Sequence, residues 1–150
     1  MKKLVKKVLL TLFALFLLIQ LYQPARNINE GQAPSDGFSN FYNAPKNIQN
    51  ILQNSCYDCH SNNTKYPAYS YIQPARYLME KHIKEGKEEL NFDEWTTYSV
   101  RKQRNKLNGI IEQIEGDKMP LDSYILLHKN AKLSGEQKVE MINWLNLIQK

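Results

Sequence analysis

The sequence predicts an all-α protein, with one domain of four or five helices preceded by an N-terminal membrane helix. Two observations lead to this prediction. Apolar residues recur at helical spacing from residue 44 to the end of the chain, and no stretch alternates with period two for long. The 150 residues give room for one domain. Nine tyrosines and two tryptophans argue against disorder.

The first 22 residues have the order of a targeting segment, basic and then apolar. An apolar run at 8–19, interrupted by one threonine, follows four lysines: Lys2, Lys3, Lys6 and Lys7. A helix over 4–22 is about 28 Å long, close to the ~30 Å hydrocarbon core of a bilayer. We therefore expect an uncleaved signal anchor at 1–22, with cleavage as the alternative. The lysines then stay in the cytoplasm, and the remaining chain faces the periplasm from the inner membrane.

Most of the net charge of +5 lies in this segment. Without its four lysines the chain carries about +1, which is too balanced for a nucleic-acid-binding surface. We therefore expect no nucleic-acid partner. A local basic cluster remains, which indicates either a solvated helix face or a docking patch for an acidic partner: Arg101, Lys102, Arg104 and Lys106.

Residues 23–43 are predicted to be a linker, because they are polar and rich in Pro, Gly and Asn. We expect the aromatic residues at its end to dock on the domain: Phe38, Phe41 and Tyr42. The helical domain follows at 44–150. Its first helix presents Ile48, Ile51 and Leu52 on one face, directly before the two cysteines of the chain.

Three further helical segments are predicted. The first has Pro74 in its first turn and buries one face: Ile72, Ala75, Leu78, Met79, His82 and Ile83. A capping box at 91–94 opens the next segment, which ends at Gly116 after a second face: Leu107, Ile110, Ile111 and Ile114. Another capping box at 134–137 starts the last helix, which carries Trp144 beside a third face: Val139, Ile142, Leu145 and Ile148.

Both cysteines lie in the stretch Cys-Tyr-Asp-Cys-His, residues 56–60. A dithiol redox pair at this spacing normally belongs to a βαβ fold, and no strands are predicted here. A structural zinc site needs four ligands, whereas the adjacent Cys59 and His60 point apart and His82 and His128 stand singly. A disulfide between Cys56 and Cys59 is sterically awkward. These three alternatives are therefore disfavoured.

Covalent haem attachment explains each residue of the motif. Thiols at i and i+3 on one helical turn reach the two vinyl groups of a haem, and the next histidine lies under the iron. In bacteria this attachment takes place outside the cytoplasmic membrane, where the N-terminal segment sends the chain. We predict one covalent haem c on Cys56 and Cys59, with His60 as the proximal iron ligand. The other ring nitrogen of His60 is expected to donate to a backbone carbonyl near Tyr66 or Pro67.

Beyond the motif, the chain resembles the cytochrome c superfamily, in which a short amphipathic helix precedes the cysteines and an aromatic-bearing helix closes the chain. It is most similar to the small bacterial haem-binding domain family, over about residues 44–147. This resemblance implies a cytochrome c-like helical domain around one haem, with Ala68 where an aromatic residue is typical. The matching stretches are residues 55–67, His-Ile-Lys-Glu-Gly at 82–86, Leu-Asn-Phe-Asp-Glu-Trp at 90–95 and Met-Pro-Leu-x-x-Tyr at 119–124.

Five residues are candidates for the sixth iron ligand. Met79 and Met141 lie on apolar helix faces, where core packing explains them. His82 faces the core or its boundary, and His128 caps a helix end. Met119 differs because a glycine and a proline place it in a loop, and a loop can lay its side chain over a haem face. A methionine before proline is also the usual distal ligand in the cytochrome c superfamily, so we expect Met119 to bind the iron.

These residues predict a membrane-tethered mono-haem c-type cytochrome that relays single electrons to an unidentified redox partner protein. Such a relay needs an apolar haem pocket and two axial ligands. The sequence shows no paired carboxylates and no activated nucleophile, so we expect no catalytic residue, no small-molecule substrate and no enzyme activity. The alternative is a haem-based sensor or ligand-binding module with an open or displaceable sixth position. A haem peroxidase ranks third, because it usually needs a second haem.

Overall fold

The computed structural model describes residues 1–29 and 37–149. In these ranges every regular element is a helix, which confirms the all-α class. The α-helices are α1 (Lys2–Ile19), α2 (Gly37–Phe41), α3 (Lys46–Ser55), α4 (Tyr57–His60), α5 (Ala75–Glu89), α6 (Val100–Glu115), α7 (Asp122–Ile125) and α8 (Gly135–Leu147). Short 3-10 helices lie at Ala68–Tyr71, Phe92–Thr97 and Lys129–Ala131.

Helix α1 contains no buried side chain, and its apolar side chains are exposed to between 41% and 67%. Among the described residues, no helix is long and apolar enough to cross a membrane. The structure therefore does not support the membrane helix expected at 1–22. Two facts explain the difference: α1 ends at Ile19, and lysines occupy four of its 18 positions.

The residues that follow α1 are hydrogen-bonded to the helical domain. The backbone N–H of Gln73 donates to the side-chain oxygen of Gln20 at 2.9 Å. Further along, the backbone N–H of Asn27 donates to the Tyr66 hydroxyl at 2.6 Å, and its side-chain amide donates to the Ser61 carbonyl at 2.8 Å. The first part of the predicted linker is thus packed on the domain. Residues 30–36 of that linker lie outside the described residues.

An aromatic cluster forms the centre of the core, and α2 supplies one of its members. Phe38 is fully buried, with its ring centre 4.7 Å from the ring centres of both Phe92 and Trp95. The ring of Trp144 from α8 lies 5.7 Å away. Docking of the linker end is therefore confirmed for Phe38, whereas Phe41 stays 50% exposed.

Several predicted helix features are confirmed. Helix α3 buries Ile48, Ile51 and Leu52. Gly116 is the C-cap of α6. Ser134 forms the capping box that opens α8. The domain contains four helices of ten or more residues, α3, α5, α6 and α8, in agreement with the expected number.

Helix α5 buries Ile83 as predicted, at 2% exposure, but the rest of the predicted face is confirmed only in part. Ile72 and Leu78, which were expected in the core, are exposed to 53% and 50%. Arg76 is buried instead, because its guanidinium donates to the side chain of Gln23 and the carbonyl of Pro24. The N-terminal segment thus covers the side of α5 that carries this polar residue.

Two further predictions need correction. Val139 in α8 is 59% exposed, because α8 turns Met141, Trp144 and Leu145 towards the core. The segment predicted to run unbroken from residue 91 divides into the 3-10 helix Phe92–Thr97 and then α6. The division occurs because Ser99 caps a new helix with its own side chain.

Candidate functional site

The Cys-x-x-Cys-His motif forms one helical turn directly after α3. The backbone N–H of Cys56 donates to the Leu52 carbonyl at 3.0 Å, and that of His60 donates to the Cys56 carbonyl at 3.0 Å. Both cysteines are partly buried free thiols. The motif therefore begins where α3 ends, and the packing of the buried α3 residues in the core determines the position of the motif.

Beside the motif lies a cavity of about 350 Å³, within the ~300–1,000 Å³ range of small-molecule and cofactor sites. Cys56, His60 and Met119 all contribute to its lining. Most of the remaining wall is apolar and includes Ile51, Leu90, Phe92, Ile110, Ile114 and Leu133. The structure thus brings three of the four predicted site residues together around one space. Cys59 is not part of this lining and instead packs against α5.

Two features show that this space suits a haem. Gly109 of α6 lines it, and a Cβ added at Gly109 would meet no atom within 4 Å, so the space beside this residue is open to a bound group. The wall combines apolar side chains with an imidazole, two thioethers and one of the two free thiols, and imidazole and thioether groups are protein ligands of haem iron. When such a group is bound, Cys56 and Cys59 would hold its edge and His60 its iron.

The orientation of the His60 ring is fixed by a backbone group. His60 Nδ1 lies 3.0 Å from the Leu90 carbonyl oxygen, so the prediction of an acceptor near Tyr66 or Pro67 is wrong. Because a carbonyl only accepts, the proton sits on Nδ1 and Nε2 is left as the nitrogen that can bind a metal. Burial lowers the pKa of His60, although the carbonyls of Leu90 and Gly86 act in the opposite direction.

Neither thiol is activated for redox chemistry. Burial, followed by the charge of Cys59, raises the pKa of Cys56 to about 12. Burial, followed by the charge of Asp58, raises the pKa of Cys59 to about 11. A reactive dithiol pair needs a thiol pKa lowered towards neutrality, which is the opposite shift. Within the described ranges, no group of three or more His, Cys, Asp or Glu side chains could hold a metal ion.

The candidates for the sixth ligand separate by position. Met119 is half-buried and Met141 fully buried, and both line the cavity. Met79, His82 and His128 are not among the lining residues. Met141 belongs to α8 and packs in the main core cluster, whereas Met119 lies in the loop between α6 and α7. The loop position leaves Met119 the freer of the two to ligate an iron.

The sequence interpretation missed the role of Gly86. A Cβ at this position would stand 2.9 Å from the Cys59 carbonyl oxygen, so only glycine lets α5 approach α4 this closely. A signal for it exists, because an isolated glycine inside a helical pattern usually has a packing reason.

A charged pair was also missed. Glu89 and Lys106 both line the cavity, and Lys106 Nζ lies 3.6 Å from Glu89 Oε2. The Lys106 side chain is only 29% exposed, so this member of the basic cluster is not part of a fully solvated helix face. The spacing of the cluster on α6 gave no indication that one lysine turns towards the cavity.

Comparisons with known proteins agree with this chemistry. Residues 14–147 match the sequence profile of a family described as a haem-binding domain. The cytochrome c peroxidase Ccp of Escherichia coli (strain K12) is 29% identical over 98 residues, which cover 63% of this chain and 21% of that protein. The chain thus spans about a fifth of the length of this curated relative. No solved structure matches the chain significantly.

Proposed function

Because this chain belongs to the haem-binding domain family, we propose that it is a mono-haem c-type cytochrome that relays single electrons. The observation that carries the proposal is the shared cavity, which Cys56, His60 and Met119 line together. A haem bound there supplies a one-electron ferric/ferrous couple. The apolar wall excludes water from that couple, and a polar site for a second substrate is not needed.

Cys56 and Cys59 are the proposed attachment points of the haem. Each thiol would hold the haem as a thioether, by addition of its S–H bond across one vinyl group. No atom is lost and no oxidant is consumed in this addition. Because Gly86 lets α5 approach the backbone of Cys59 closely, α5 helps to hold the motif turn in place.

His60 and Met119 are the proposed axial ligands. The Leu90 carbonyl keeps the proton of His60 on Nδ1 and raises the basicity of the ring. Met119 offers a soft, neutral thioether, which raises the reduction potential relative to a second histidine. This pair suits outer-sphere electron transfer, because neither position is left open for a substrate.

We also propose that the N-terminal segment sends the haem domain to the periplasmic side and holds it at the inner membrane. Four lysines followed by an apolar run support this, as do the exposed apolar side chains of α1. Membrane fractionation tests it, together with the mass of the purified chain. Recovery of a soluble form that lacks the first 22 or more residues would instead mean cleavage.

The proposal assigns no catalytic residue to the chain and no small-molecule substrate. The similarity to a peroxidase covers about a fifth of that protein, so we read it as a shared haem-binding segment. A peroxide-turnover assay with a small electron donor should give only the slow background rate of a six-coordinate haem. Turnover comparable to that of a dedicated peroxidase contradicts this part of the proposal.

The central experiment is haem staining of the chain on a denaturing gel, combined with absorption spectra of the oxidised and reduced protein. The wild type should stain and show a six-coordinate low-spin spectrum. Cys56→Ala combined with Cys59→Ala should abolish staining, while Ser55→Ala, at the end of α3 directly before the motif, serves as a control. Staining that survives in the double variant rules out attachment at these cysteines.

The sensor alternative differs in one measurable property. A closed His/Met site binds carbon monoxide slowly or not at all after reduction, whereas an open or displaceable position binds it quickly. The presence of two methionines in the lining favours the closed form. Rapid carbon monoxide binding by the wild-type protein would support a sensor or ligand-binding module instead.

A further inference from the structure

The segment that follows Met119 is tied directly to the haem-attachment motif. Tyr124 lies in α7, five residues after Met119, and its hydroxyl donates to Asp58 Oδ2 at 2.7 Å. Asp58 stands between the two cysteines of the motif. One side-chain hydrogen bond therefore connects the turn that carries Cys59 and His60 to the loop that carries Met119.

Asp58 is a rigid anchor for this bond. Its other carboxylate oxygen accepts from the backbone N–H of Lys65 at 3.1 Å. Its carbonyl oxygen accepts from the Thr64 hydroxyl at 2.6 Å. The carboxylate is thus oriented by the loop after the motif before Tyr124 reaches it, and little conformational freedom is lost when the bond forms.

Tyr124 is held on its other side by an aromatic neighbour. Its ring stacks on the His128 ring, with centres 4.1 Å apart and planes inclined by 16°. His128 Nδ1 lies 3.1 Å from the Tyr124 carbonyl, and His128 Nε2 lies 3.4 Å from the Tyr69 hydroxyl. His128, one of the sequence candidates for the sixth ligand, therefore packs on the tyrosine instead of lining the cavity.

The loop between α6 and α7 is bonded to α6 at its start, to Lys138 of α8 through the Asp117 carboxylate, and to the motif at its end. At its start, the N–H groups of Lys118 and Met119 both donate to the Gln113 carbonyl, at 2.9 and 3.2 Å. At its end, Tyr124 joins it to Asp58. The bonds to Gln113 and the Asp117–Lys138 ion pair fix the loop to α6 and α8, whereas the Tyr124 bond fixes it to the motif. We therefore expect the position of the Met119 side chain relative to His60 to depend on the Tyr124 bond.

We propose that Tyr124 is a positioning residue, which holds Met119 in the cavity opposite His60 through its hydrogen bond to Asp58. This inference rests on the proposed function, because it takes Met119 as the distal ligand. Loss of the bond frees the end of the loop and raises the fraction of molecules in which the thioether has left its place. The bond thereby determines the fraction of molecules in which the sixth iron position is occupied by the Met119 thioether.

The test uses Tyr124→Phe in the full haem-loaded chain, because this change removes the hydroxyl and keeps the ring that stacks on His128. Tyr69→Phe is the matched control, since it removes a hydroxyl near His128 without touching Asp58. Two readouts report on the thioether: the weak sulfur-to-iron charge-transfer band of the oxidised protein and the rate of carbon monoxide binding to the reduced protein. Haem staining and a thermal melt show that the variants are loaded and folded.

Tyr124→Phe should weaken the band and speed carbon monoxide binding by roughly tenfold to a hundredfold, the range for one hydrogen bond to a charged acceptor. Tyr69→Phe should behave as the wild type. If Tyr124→Phe matches the wild type while Met119→Ala loses the band, the positioning role is refuted and the ligand assignment stands. If Met119→Ala keeps the band, the ligand assignment fails and the positioning role fails with it.

A second variant covers the case in which Tyr124→Phe does not fold. Asp58→Asn keeps an acceptor oxygen but removes the charge, so carbon monoxide binding should rise in the same direction by a smaller factor. A wild-type rate in Asp58→Asn, in a sample with a wild-type melt, overturns the proposal.

Discussion

Gly86→Ala tests the contact that places α5 against the turn that carries the Cys-x-x-Cys-His motif. An added Cβ stands 2.9 Å from the Cys59 carbonyl oxygen and 3.4 Å from the Cys59 carbonyl carbon and Cβ. Ordinary van der Waals contact begins at 3.4 Å, so the oxygen is 0.5 Å too close. The obstacle is backbone inside a helical turn, which cannot rotate away as a side chain does. Either α5 or α4 must therefore move.

The expected cost follows from two opposing terms. Overpacking of this kind costs about 1–3 kcal/mol. Alanine in a helix interior recovers about 0.5–1 kcal/mol relative to glycine. The net destabilisation is then between about 0 and 2.5 kcal/mol, with a midpoint slightly above 1 kcal/mol. Each kcal/mol lowers the melting temperature by roughly 4–8 °C in a domain of this size.

The assay is thermal unfolding followed by circular dichroism on the haem-loaded chain. Gly135→Ala is the matched control, because a Cβ there meets nothing within 4 Å. The control should melt within about 2 °C of the wild type, since such surface changes stay within ~0.5 kcal/mol. Equal melting temperatures for Gly86→Ala and Gly135→Ala refute the close approach of α5 to Cys59 and the argument built on it.

The remaining predictions concern the ligands and their supports. Met119→Ala should lower the reduction potential and remove the sulfur-to-iron band, whereas Met141→Ala should keep the band and cost about 2–5 kcal/mol in chemical denaturation; a reversed pattern would make Met141 the ligand. The buried Asn91 side chain donates to Asn62 Oδ1 and accepts from the Asp93 N–H. Asn91→Ala should therefore cost about 1–3 kcal/mol in chemical denaturation, because both groups lose a hydrogen-bond partner. A cost below ~0.5 kcal/mol would contradict a structural role for these two bonds. Burial, followed by the hydrogen bond to Asp58, raises the pKa of Tyr124. The protonated hydroxyl therefore contributes stability that is fully present below the ordinary tyrosine pKa of about 10 and is lost as pH rises through the folded value. Denaturation at pH 8 to 11 should show a fall above pH 10 that is steeper in the wild type than in Tyr124→Phe, and parallel curves would contradict it.

The parts of the fold that the sequence predicts are those that depend on near neighbours in the chain. The apolar face of α3 involves residues three and four apart, and the Ser134 capping box spans one turn. The faces of α5 and α8 were predicted by the same periodicity and are confirmed only in part: Ile83 and Leu145 are buried, whereas Leu78 and Val139 are exposed. In α5 the decisive partner is the segment around Gln23, more than 50 residues away from Arg76. Periodicity carries no information about such a partner.

The predictions for the candidate site follow the same distinction between near and distant neighbours in the chain. Motif spacing was enough to predict that Cys56 and His60 belong to one site, and the loop position of Met119 was enough to add it. The acceptor for His60 Nδ1 could not be predicted, because Leu90 lies 30 residues further along the chain. The end of α5, and not the residues next to the motif, determines which carbonyl meets the ring.

The segment that carries the Leu90 carbonyl is itself hydrogen-bonded to the loop that follows the motif. Asn91, only 1% exposed, donates from its side-chain amide to Asn62 Oδ1 at 3.0 Å. The backbone N–H of Asn62 donates in turn to Asp93 Oδ2 at 2.6 Å. Asn62 is two residues from His60, and Asn91 is the neighbour of Leu90, so the imidazole and its acceptor are fixed to each other by bonds on both sides. The orientation of the His60 ring is therefore determined by hydrogen bonds within the folded chain.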